Sequence, residues 1–515
     1  SDSYDGEGAS TDSDIFISIS NDDGSTWSSL ESLSEHYYEA NSYSPSLSYS
    51  DDFLYLCYLD GGDLNQDTDP TGNDAGTPDL YSNDGDVFFT RSDDNGENWD
   101  FPMVISNFAS DGETDIDYTG TTLTYRADIS SSSSNVYIAW TDISKESART
   151  HSIYFSSSND YGVNWNEPIK IDDSSTGSRY GVSIASNGDN VVAVWLDSIG
   201  ENGDYDIYGS YSTDGGETWI GPVGISKTAA LSDYMPEIVY NDGKFHVIWS
   251  DSTIEESIHY SFSENNGASW SDEVYLNGET SWYSYMPTIS ADGSNLYATW
   301  IDYGDYDGDA TNDYDIIGAV SRDNGLTWDD EKLFVNTKGS STYTLPIVSS
   351  GSGFLYVAYQ DTADEGGYDY FFTFSQDEGT TWSDSFEITD NDSETLSAKY
   401  RRMDAIVEDK VYFAFLEESQ IDSGEEHKDI DVYIRTTLSD DYPMNPAVQI
   451  GSSKEWQWSG ELNKDNSPVT WKETGGDQGE AVKSFKKALS DELKRAIDDG
   501  ETIIDDYGIE MTEIV

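Results

Sequence analysis

Two kinds of side chain recur at matching places along this chain, and both could take part in chemistry. Tyrosines, some with a neighbouring arginine, open a series of strand-like segments: Tyr43, Tyr125, Arg126, Arg179, Tyr180, Tyr234, Tyr285, Tyr343, Tyr400, Arg401 and Arg402. Acids end the apolar segments that follow: Asp60, Asp142, Asp197, Asp251, Asp302, Asp361 and Glu417. Because aromatic faces stack on sugar rings and carboxylates bind hydroxyls, this combination suits a polyhydroxylated ligand. The alternative is a scaffold, in which each tyrosine packs between repeats and each acid bonds loop backbone.

A second set of acids lies in glycine-containing segments, residues 60–86, 302–315 and 361–369. Alternating Asp and Gly lets several carboxylates and carbonyls surround one hard cation, and Ca²⁺ takes about six to eight oxygen ligands. We therefore predict calcium-ordered loops with these candidate ligands: Asp63, Asp67, Asp69, Asp302, Asp305, Asp307, Asp309 and Asp315. The competing interpretation is that these loops are acidic and solvated.

An octapeptide of the form S-x-D-x-G-x-[TN]-W recurs between two strand-like segments in each repeat. Its copies end at Trp27, Trp99, Trp165, Trp219, Trp270, Trp328 and Trp382. This placement predicts a hairpin turn, in which Asp accepts backbone N–H bonds, Gly supplies the backbone angles and Trp packs under the sheet. The copy SENNGASW (263–270) carries Asn265 instead of Asp. Since a catalytic or metal-binding carboxylate would rarely tolerate a neutral amide, we predict that the octapeptide is structural.

Two further strands precede each hairpin, and four antiparallel strands in about fifty residues describe one blade of a β-propeller. Full units start near the seven tyrosines, and a spare hairpin at 14–35 precedes them. The last unit, with strands at 431–437 and 446–450, lacks the octapeptide. We predict an all-β, seven-bladed β-propeller in which the spare hairpin joins the first strands of the last unit. Eight or six blades are the alternatives.

The octapeptide resembles the Asp-box, or BNR, repeat of the sialidase superfamily, and the resemblance covers about residues 14–450. It implies a propeller with the box between the third and fourth strands, on the face opposite the active site. A sialidase of this family needs three arginines around a substrate carboxylate, a Tyr–Glu nucleophile pair, an Asp acid and an opening Arg-Ile-Pro. TYRADIS (124–130) keeps Arg126 without the proline, and YRRMDAI (400–406) is no closer. The chain therefore resembles a non-sialidase member.

The composition excludes several partners. With 101 acidic and 25 basic residues the net charge is −76, which repels nucleic-acid phosphates and anionic lipid headgroups. The acidity instead favours hydration in high salt or binding of divalent cations. No apolar run approaches the roughly 18 residues of a membrane span. Cys57 is the only cysteine, so an intrachain disulfide is impossible.

The composition changes near Gly451, where lysines become frequent, so we divide the chain into a propeller at 1–450 and a module at 451–515. In that module EWQWSGEL and SPVTWKE predict a hairpin. An amphipathic helix is predicted next, because these residues share one face at helical spacing: Val482, Phe485, Leu489, Leu493 and Ile497. This small α+β extension is either a brace on the propeller or a module for homo-assembly or docking.

Together these features predict a secreted or surface-exposed, non-enzymatic propeller that binds glycans or a glycosylated partner. In a propeller the innermost strands begin and the second strands end at one face, which we call the top face. The tyrosines, arginines and acidic loops are all expected there. Two alternatives stay open: a glycoside hydrolase or sialidase-like enzyme, and a structural surface or filament subunit.

Overall fold

The computed structural model describes part of the chain in regular strands and turns. The described residues are 13–20, 31–33, 42–60, 86–96, 98–106, 126–143, 151–172, 178–198, 205–226, 233–251, 257–277, 284–304, 306, 313–335, 346–351, 353–362, 368–387, 404–407, 411–418, 433–434, 448–449, 456–458 and 471–473. Within these ranges the secondary structure is all β. None of the described residues belongs to a helix that is long and apolar enough to cross a membrane.

The strands follow one another in a regular rhythm. The first half of the chain holds β1 (Ser13–Ser20), β2 (Glu31–Ser32), β3 (Ser42–Ser50), β4 (Phe53–Asp60), β5 (Asp86–Ser92), β6 (Met103–Val104), β7 (Ala127–Ser132), β8 (Asn135–Ile143), β9 (His151–Ser158), β10 (Ile169–Lys170), β11 (Arg179–Asn187), β12 (Asn190–Asp197), β13 (Asp206–Ser212) and β14 (Ile220–Gly224). The second half holds β15 (Asp233–Asn241), β16 (Lys244–Asp251), β17 (Ile258–Ser263), β18 (Val274–Tyr275), β19 (Ser284–Asp292), β20 (Asn295–Gly304), β21 (Asp313–Ser321), β22 (Lys332–Val335), β23 (Ile347–Gly351), β24 (Phe354–Thr362), β25 (Tyr368–Ser375), β26 (Phe386–Glu387), β27 (Asp404–Val407), β28 (Val411–Glu418), β29 (Tyr433–Ile434), β30 (Val448–Gln449), β31 (Trp456–Trp458) and β32 (Trp471–Glu473).

Six blades each consist of four consecutive antiparallel strands, from β3–β6 to β23–β26. The first strand of each blade contacts the first strand of the next, in the order β3, β7, β11, β15, β19, β23. Strand β27 contacts both β23 and β3, so the innermost strands surround an axis. The predicted all-β propeller is confirmed.

A further four-stranded sheet joins the two ends of the propeller, in the order β2–β1–β28–β27. β1 pairs along its whole length with β28, and its alternating Ile15, Ile17 and Ile19 are buried with Leu54 and Leu56 of the first consecutive blade. The spare hairpin thus joins the first strands of the last unit, as the sequence suggested. The strands expected to finish that unit do not join it. β29 and β30 pair with each other instead.

The hydrophobic core lies between neighbouring blades. The second strands β8, β12, β16 and β20 each bury a tryptophan two residues before the acid that ends the apolar segment: Trp140, Trp195, Trp249 and Trp300. One cluster shows the pattern, since Phe155 and Ile171 of one blade pack with Val182 and Trp195 of the next. Burying a tryptophan of about 200 Å² contributes roughly 5 kcal/mol as an upper estimate.

The octapeptide turns fasten each blade to the one before it. In the copy at 212–219, Asp214 Oδ1 accepts hydrogen bonds from Ser212 Oγ at 2.7 Å and Thr218 N at 2.9 Å. These bonds, with that of the Thr218 hydroxyl, lower the pKa of Asp214. Gly216 has a φ of +87°, and a Cβ there would lie 2.3 Å from the Phe155 ring of the preceding blade. Trp219 packs edge-on against the same ring at 4.8 Å. The turn is therefore a clamp between blades.

The variant turn keeps this geometry without the charge. Asn265 Oδ1 accepts bonds from Ser263 Oγ and Ser269 N, both at 2.9 Å. Its Nδ2 donates to Ser269 Oγ at 2.8 Å, whereas in the aspartate copies the Thr hydroxyl or Asn amide donates to Oδ2. The prediction that the octapeptide is a structural turn is confirmed for the six copies that the structure describes, and the copy that ends at Trp27 lies outside the described residues.

The chain divides into two compact units, one of residues 12–418 with 436–445 and one of 1–11, 419–435 and 446–515. The first contains the propeller strands. The second contains β29 paired with β30, and β31 paired with β32. The predicted EWQW–TWKE hairpin is therefore present. The predicted helix at 479–500 lies outside the described residues, and the boundary at 451 stays a prediction.

Candidate functional site

A β-bulge interrupts the innermost strands at the top face. The pairing register slips by one residue after each of Tyr43, Tyr180, Tyr234 and Tyr285. The following residue has a positive φ in every case: +51° at Ser44, +62° at Gly181, +51° at Met235 and +57° at Met286. A left-handed backbone at a non-glycine residue costs about 1–3 kcal/mol. Bulges of this kind re-aim the side chains that follow them.

One register position recurs in all seven innermost strands, and in four of them it ends a bulge. These equivalent positions are Ser46, Asp128, Ser183, Glu237, Thr288, Ile347 and Asp404, each paired with the residue three places before the acid that ends the second-strand segment. We call the first four, from neighbouring blades, the axial belt. All four line a cavity of about 400 Å³ between the innermost strands. That volume lies within the range of about 300–1,000 Å³ that is usual for small-molecule sites.

Asp128 is the centre of the axial belt. Its Oδ1 accepts a hydrogen bond from Ser46 Oγ at 2.7 Å. Its Oδ2 accepts bonds from Ser183 Oγ and Ile184 N, both at 2.9 Å. These partners belong to the blades on either side, so the buried carboxylate joins three innermost strands. A carboxylate held in this way is committed to the scaffold.

Arg126 and Glu237 form a two-pronged ion pair at the edge of the same belt. Nη1 lies 2.8 Å from Oε1, and Nη2 lies 2.8 Å from Oε2. Nη2 also lies 3.4 Å from Asp128 Oδ2. The Arg126 side chain is 9% exposed and that of Glu237 is 22% exposed. Two carboxylates face one guanidinium, so the group carries a formal charge of −1, and Glu237 is its more exposed member.

Three tyrosines cluster where the innermost strands begin, and we call them the tyrosine rim. Tyr180 meets Tyr205 edge-on, with ring centroids 6.0 Å apart. Burial raises the pKa of Tyr205, and the nearby hydroxyls of Tyr180 and Tyr234 raise it further. Tyr234 is 44% exposed and is the most open ring of the three. Tyr285 belongs to a separate group with Tyr303 and Tyr314.

The predicted arginines have different surroundings. Arg126 reaches the axial belt, as expected for a residue at the mouth. Arg179 does not face a ligand, because it is fully buried with Nε 3.0 Å from Asp197 Oδ2 and 3.8 Å from Asp172 Oδ1. Burial raises the pKa of Asp197, and Arg179 opposes that rise. The following candidates lie outside the described residues: Tyr125, Tyr343, Tyr400, Arg401 and Arg402; of Tyr43 only the backbone is described.

The acids that end the second-strand segments are buried where their side chains are described. Five of them are at most 3% exposed: Asp142, Asp197, Asp251, Asp302 and Asp361. The side chains of Asp60 and Glu417 lie outside the described residues. Asp251 shows their role, since Oδ1 accepts a bond from Ser257 N at 3.1 Å and Oδ2 lies 2.9 Å from His259 Nε2. The scaffold interpretation therefore holds for these acids, whose carboxylates serve the strand ends.

Two of the predicted calcium ligands are described, and both are buried. Asp302 and Asp315 are direct cross-strand neighbours on β20 and β21, each 0% exposed. Burial raises the pKa of Asp302 to about 6, opposed by a hydrogen bond from Ser284. The other candidates lie outside the described residues: Asp63, Asp67, Asp69, Asp305, Asp307 and Asp309. Within the described ranges no group of three or more His, Cys, Asp or Glu could hold a metal ion.

Asp233 is a further buried acid, directly before the exposed Tyr234. Burial raises its pKa to about 7, and the charges of Asp206 and Asp251 contribute to the rise. His259 and the Ser226 hydroxyl oppose it. Asp233 is 0% exposed, and neither carboxylate oxygen has a hydrogen-bond partner of good geometry among the described residues. This carboxyl therefore keeps its proton to a higher pH than an exposed aspartate does.

Sequence reasoning missed the axial belt, although the sequence carried a signal for it. The third residue after Tyr43, Tyr125, Tyr180, Tyr234 and Tyr285 is polar in every case. Those five polar residues are Ser46, Asp128, Ser183, Glu237 and Thr288. The tyrosines alone do not indicate this third position, whose side chain the bulge turns towards the axis.

Solved structures resemble this chain at low sequence identity. No family model matches the chain, and no curated protein matches it in sequence. A Hadza microbial sialidase is 16% identical, with a TM-score of 0.41 over 64% of this chain and 65% of the sialidase. A Trypanosoma rangeli sialidase is 12% identical, with a TM-score of 0.39 over 70% and 58%. A polysaccharide lyase, ulvan lyase, is 9% identical, with a TM-score of 0.48 over 74% and 92%. At such identities the likeness concerns the fold alone, and this chain is similar to these proteins as a β-propeller.

Proposed function

We propose that the six consecutive blades and the composite sheet act as one seven-bladed propeller that binds a glycan chain at its top face without cleaving it. The observation that carries the proposal is the tyrosine rim, with Tyr234 exposed three residues before Glu237 of the axial belt. An open aromatic ring beside hydrogen-bonding oxygens is the combination that sugar faces and hydroxyls require.

Binding is favoured over hydrolysis by the state of the two belt carboxylates. Asp128 accepts bonds from Ser46, Ser183 and the backbone of Ile184. Glu237 is held on both oxygens by Arg126. A glycosidase needs one carboxyl that gives a proton and another that attacks or activates water. A carboxylate whose two oxygens are both bonded to a guanidinium fork is poorly placed to approach a glycosidic bond.

The remaining parts of the proposal concern the setting of this site. The protein is secreted or surface-exposed, in keeping with a net charge of −76 that suits a saline medium. Calcium orders the acidic top-face loops between second and third strands, and the segment at 451–515 mediates assembly or docking. The glycan belongs to a polysaccharide or a glycosylated partner.

A glycan array probed with and without a chelator tests the proposal, followed by calorimetry of the best ligand. Tyr234→Ala removes the exposed ring and should weaken binding about tenfold, or about 1.4 kcal/mol, which is near the upper end for one aromatic contact. Tyr275→Ala is the matched control, since Tyr275 is 58% exposed on the outer strand β18. Absence of glycan binding in both conditions, or an equal loss in both variants, would contradict the proposal.

A further inference from the structure

We infer that the top-face site takes neutral or amine-bearing sugars and excludes carboxylated and sulfated ones. The inference rests on the proposed glycan-binding function and adds the class of ligand. Its determinant is the ion pair of Arg126 with Glu237, in which the carboxylate, and not the guanidinium, is the more exposed partner.

Both terminal nitrogens of Arg126 are already bonded, so the guanidinium cannot form a two-pronged ion pair with an anionic sugar. Nη1 and Nη2 each lie 2.8 Å from a different oxygen of Glu237. The same two nitrogens also lie 3.4 Å from Pro236 O and Asp128 Oδ2. A ligand carboxylate would have to displace Glu237, which would leave a partly buried glutamate without its charge partner. Displacement of that kind is strongly unfavourable.

The wall of the axial cavity is acidic where the structure describes it. Among the described residues that line the cavity there is no Lys, Arg or His, whereas Asp128 and Glu237 are both present. Arg179, at the start of the next innermost strand, is fully buried against Asp197. An anionic substituent would therefore approach a wall of net negative charge.

The same acidic wall favours a sugar that carries an amine. The Glu237 side chain is 22% exposed, and its charge together with that of Asp128 outweighs the charge of Arg126, so the net negative charge attracts a ligand ammonium group. Glu237 lies three residues after Tyr234 on β15, or roughly 10 Å at about 3.3 Å per residue. A short oligosaccharide stacked on the exposed ring therefore places a substituent of a neighbouring sugar at Glu237.

Calorimetry with three hexasaccharides at pH 6 and constant salt tests the inference: glucosamine, N-acetylglucosamine and galacturonate hexamers. We expect galacturonate to bind at least tenfold more weakly than either of the others. Glu237→Gln removes the carboxylate and releases the charge of Arg126, so glucosamine should lose about tenfold in affinity while galacturonate gains. Glu264→Gln is the control, because Glu264 is a 67% exposed acid on the turn at the opposite face. It removes the same charge and should change neither affinity.

The outcomes separate the two proposals. If none of the hexamers binds, the proposed function fails and this inference fails with it. If the hexamers bind and galacturonate is equal or preferred, only this inference is overturned. It is also overturned if Glu264→Gln shifts the preference as much as Glu237→Gln, because the effect would then come from overall charge. Should Glu237→Gln fail to fold, the double variant Arg126→Gln/Glu237→Gln removes both charges together. It should lose the preference for glucosamine without gaining affinity for galacturonate, and a retained preference would refute the inference.

Discussion

Asp233 at the top face makes the stability of the propeller depend on pH in an unusual direction. Its carboxyl is fully buried beside Asp206 and Asp251, and burial raises its pKa from 3.8 to about 7. The folded state therefore holds this proton more tightly than the unfolded chain does. The resulting stabilisation is fully present below pH 3.8 and is lost as the pH rises through about 7.

The size of the effect follows from the shift. A change of about 3 pKa units, at about 1.4 kcal/mol per unit, corresponds to about 4 kcal/mol between pH 4 and pH 8. Asp233→Asn keeps the shape of the side chain and cannot ionise. We expect the variant to match the wild type near pH 4 and to be more stable by up to about 4 kcal/mol at pH 8.

Urea unfolding of both proteins at fixed salt, from pH 4 to pH 8, measures this difference, with thermal midpoints as a second readout. Comparing the variant with the wild type cancels other titrating groups such as Asp302, whose pKa burial raises to about 6. Asp214→Asn is the control of opposite sign, because hydrogen bonds from Thr218 lower the pKa of that turn aspartate. If Asp233→Asn leaves the difference constant across the range, or destabilises the protein at pH 8, the reasoning about this buried carboxyl is wrong.

Two further variants test the octapeptide turns. Gly216→Ala places a Cβ 2.3 Å from the Phe155 ring at a φ of +87° and should lower the free energy of unfolding by about 2–4 kcal/mol. Gly243→Ala is the control, because Gly243 has a similar φ of +83° but open space around it, so this variant measures the backbone strain alone. Equal losses in the two variants would refute the clamp between blades. Asn265→Ala removes the side-chain bonds with Ser263 and Ser269 and should lower the free energy of unfolding in urea by about 1–2 kcal/mol. Asn265→Asp should change the free energy of unfolding by less than about 0.5 kcal/mol at pH 7. A large effect of Asn265→Asp would contradict a purely structural turn.

The repeat pattern was sufficient to predict the propeller, because each octapeptide specifies its own turn from local bonds. The Ser263, Asn265 and Ser269 contacts need no information from elsewhere in the chain. The final sheet is different, since nothing local distinguishes β29 from a blade strand. β1 pairs with β28 over its whole length and buries alternating isoleucines, whereas the short β29 pairs with β30.

The site was predicted less well, because the sequence does not state which face of a strand a side chain occupies. Arg179 precedes its tyrosine and Arg126 follows one, so regular alternation would place both arginines on the same face of their strands. One arginine nevertheless enters the blade beside Asp197, and the other reaches Glu237 near the axis. The sequence pattern alone indicates the top-face mouth for both arginines.

The β-bulge explains why the sequence indicated the tyrosines of the site but not the residues of the axial belt. A regular strand would place the residues two and four after a tyrosine on its side, whereas the extra residue at Met235 moves that alternation by one. Glu237, three residues after Tyr234, thus comes to line the axial cavity. Non-glycine residues hold a strained left-handed backbone at this position in β3, β15 and β19. Strain of this kind, repeated in several blades, is the cost of aiming side chains at the axis. It lies towards the face opposite the octapeptide turns, where we propose that the propeller binds its ligand.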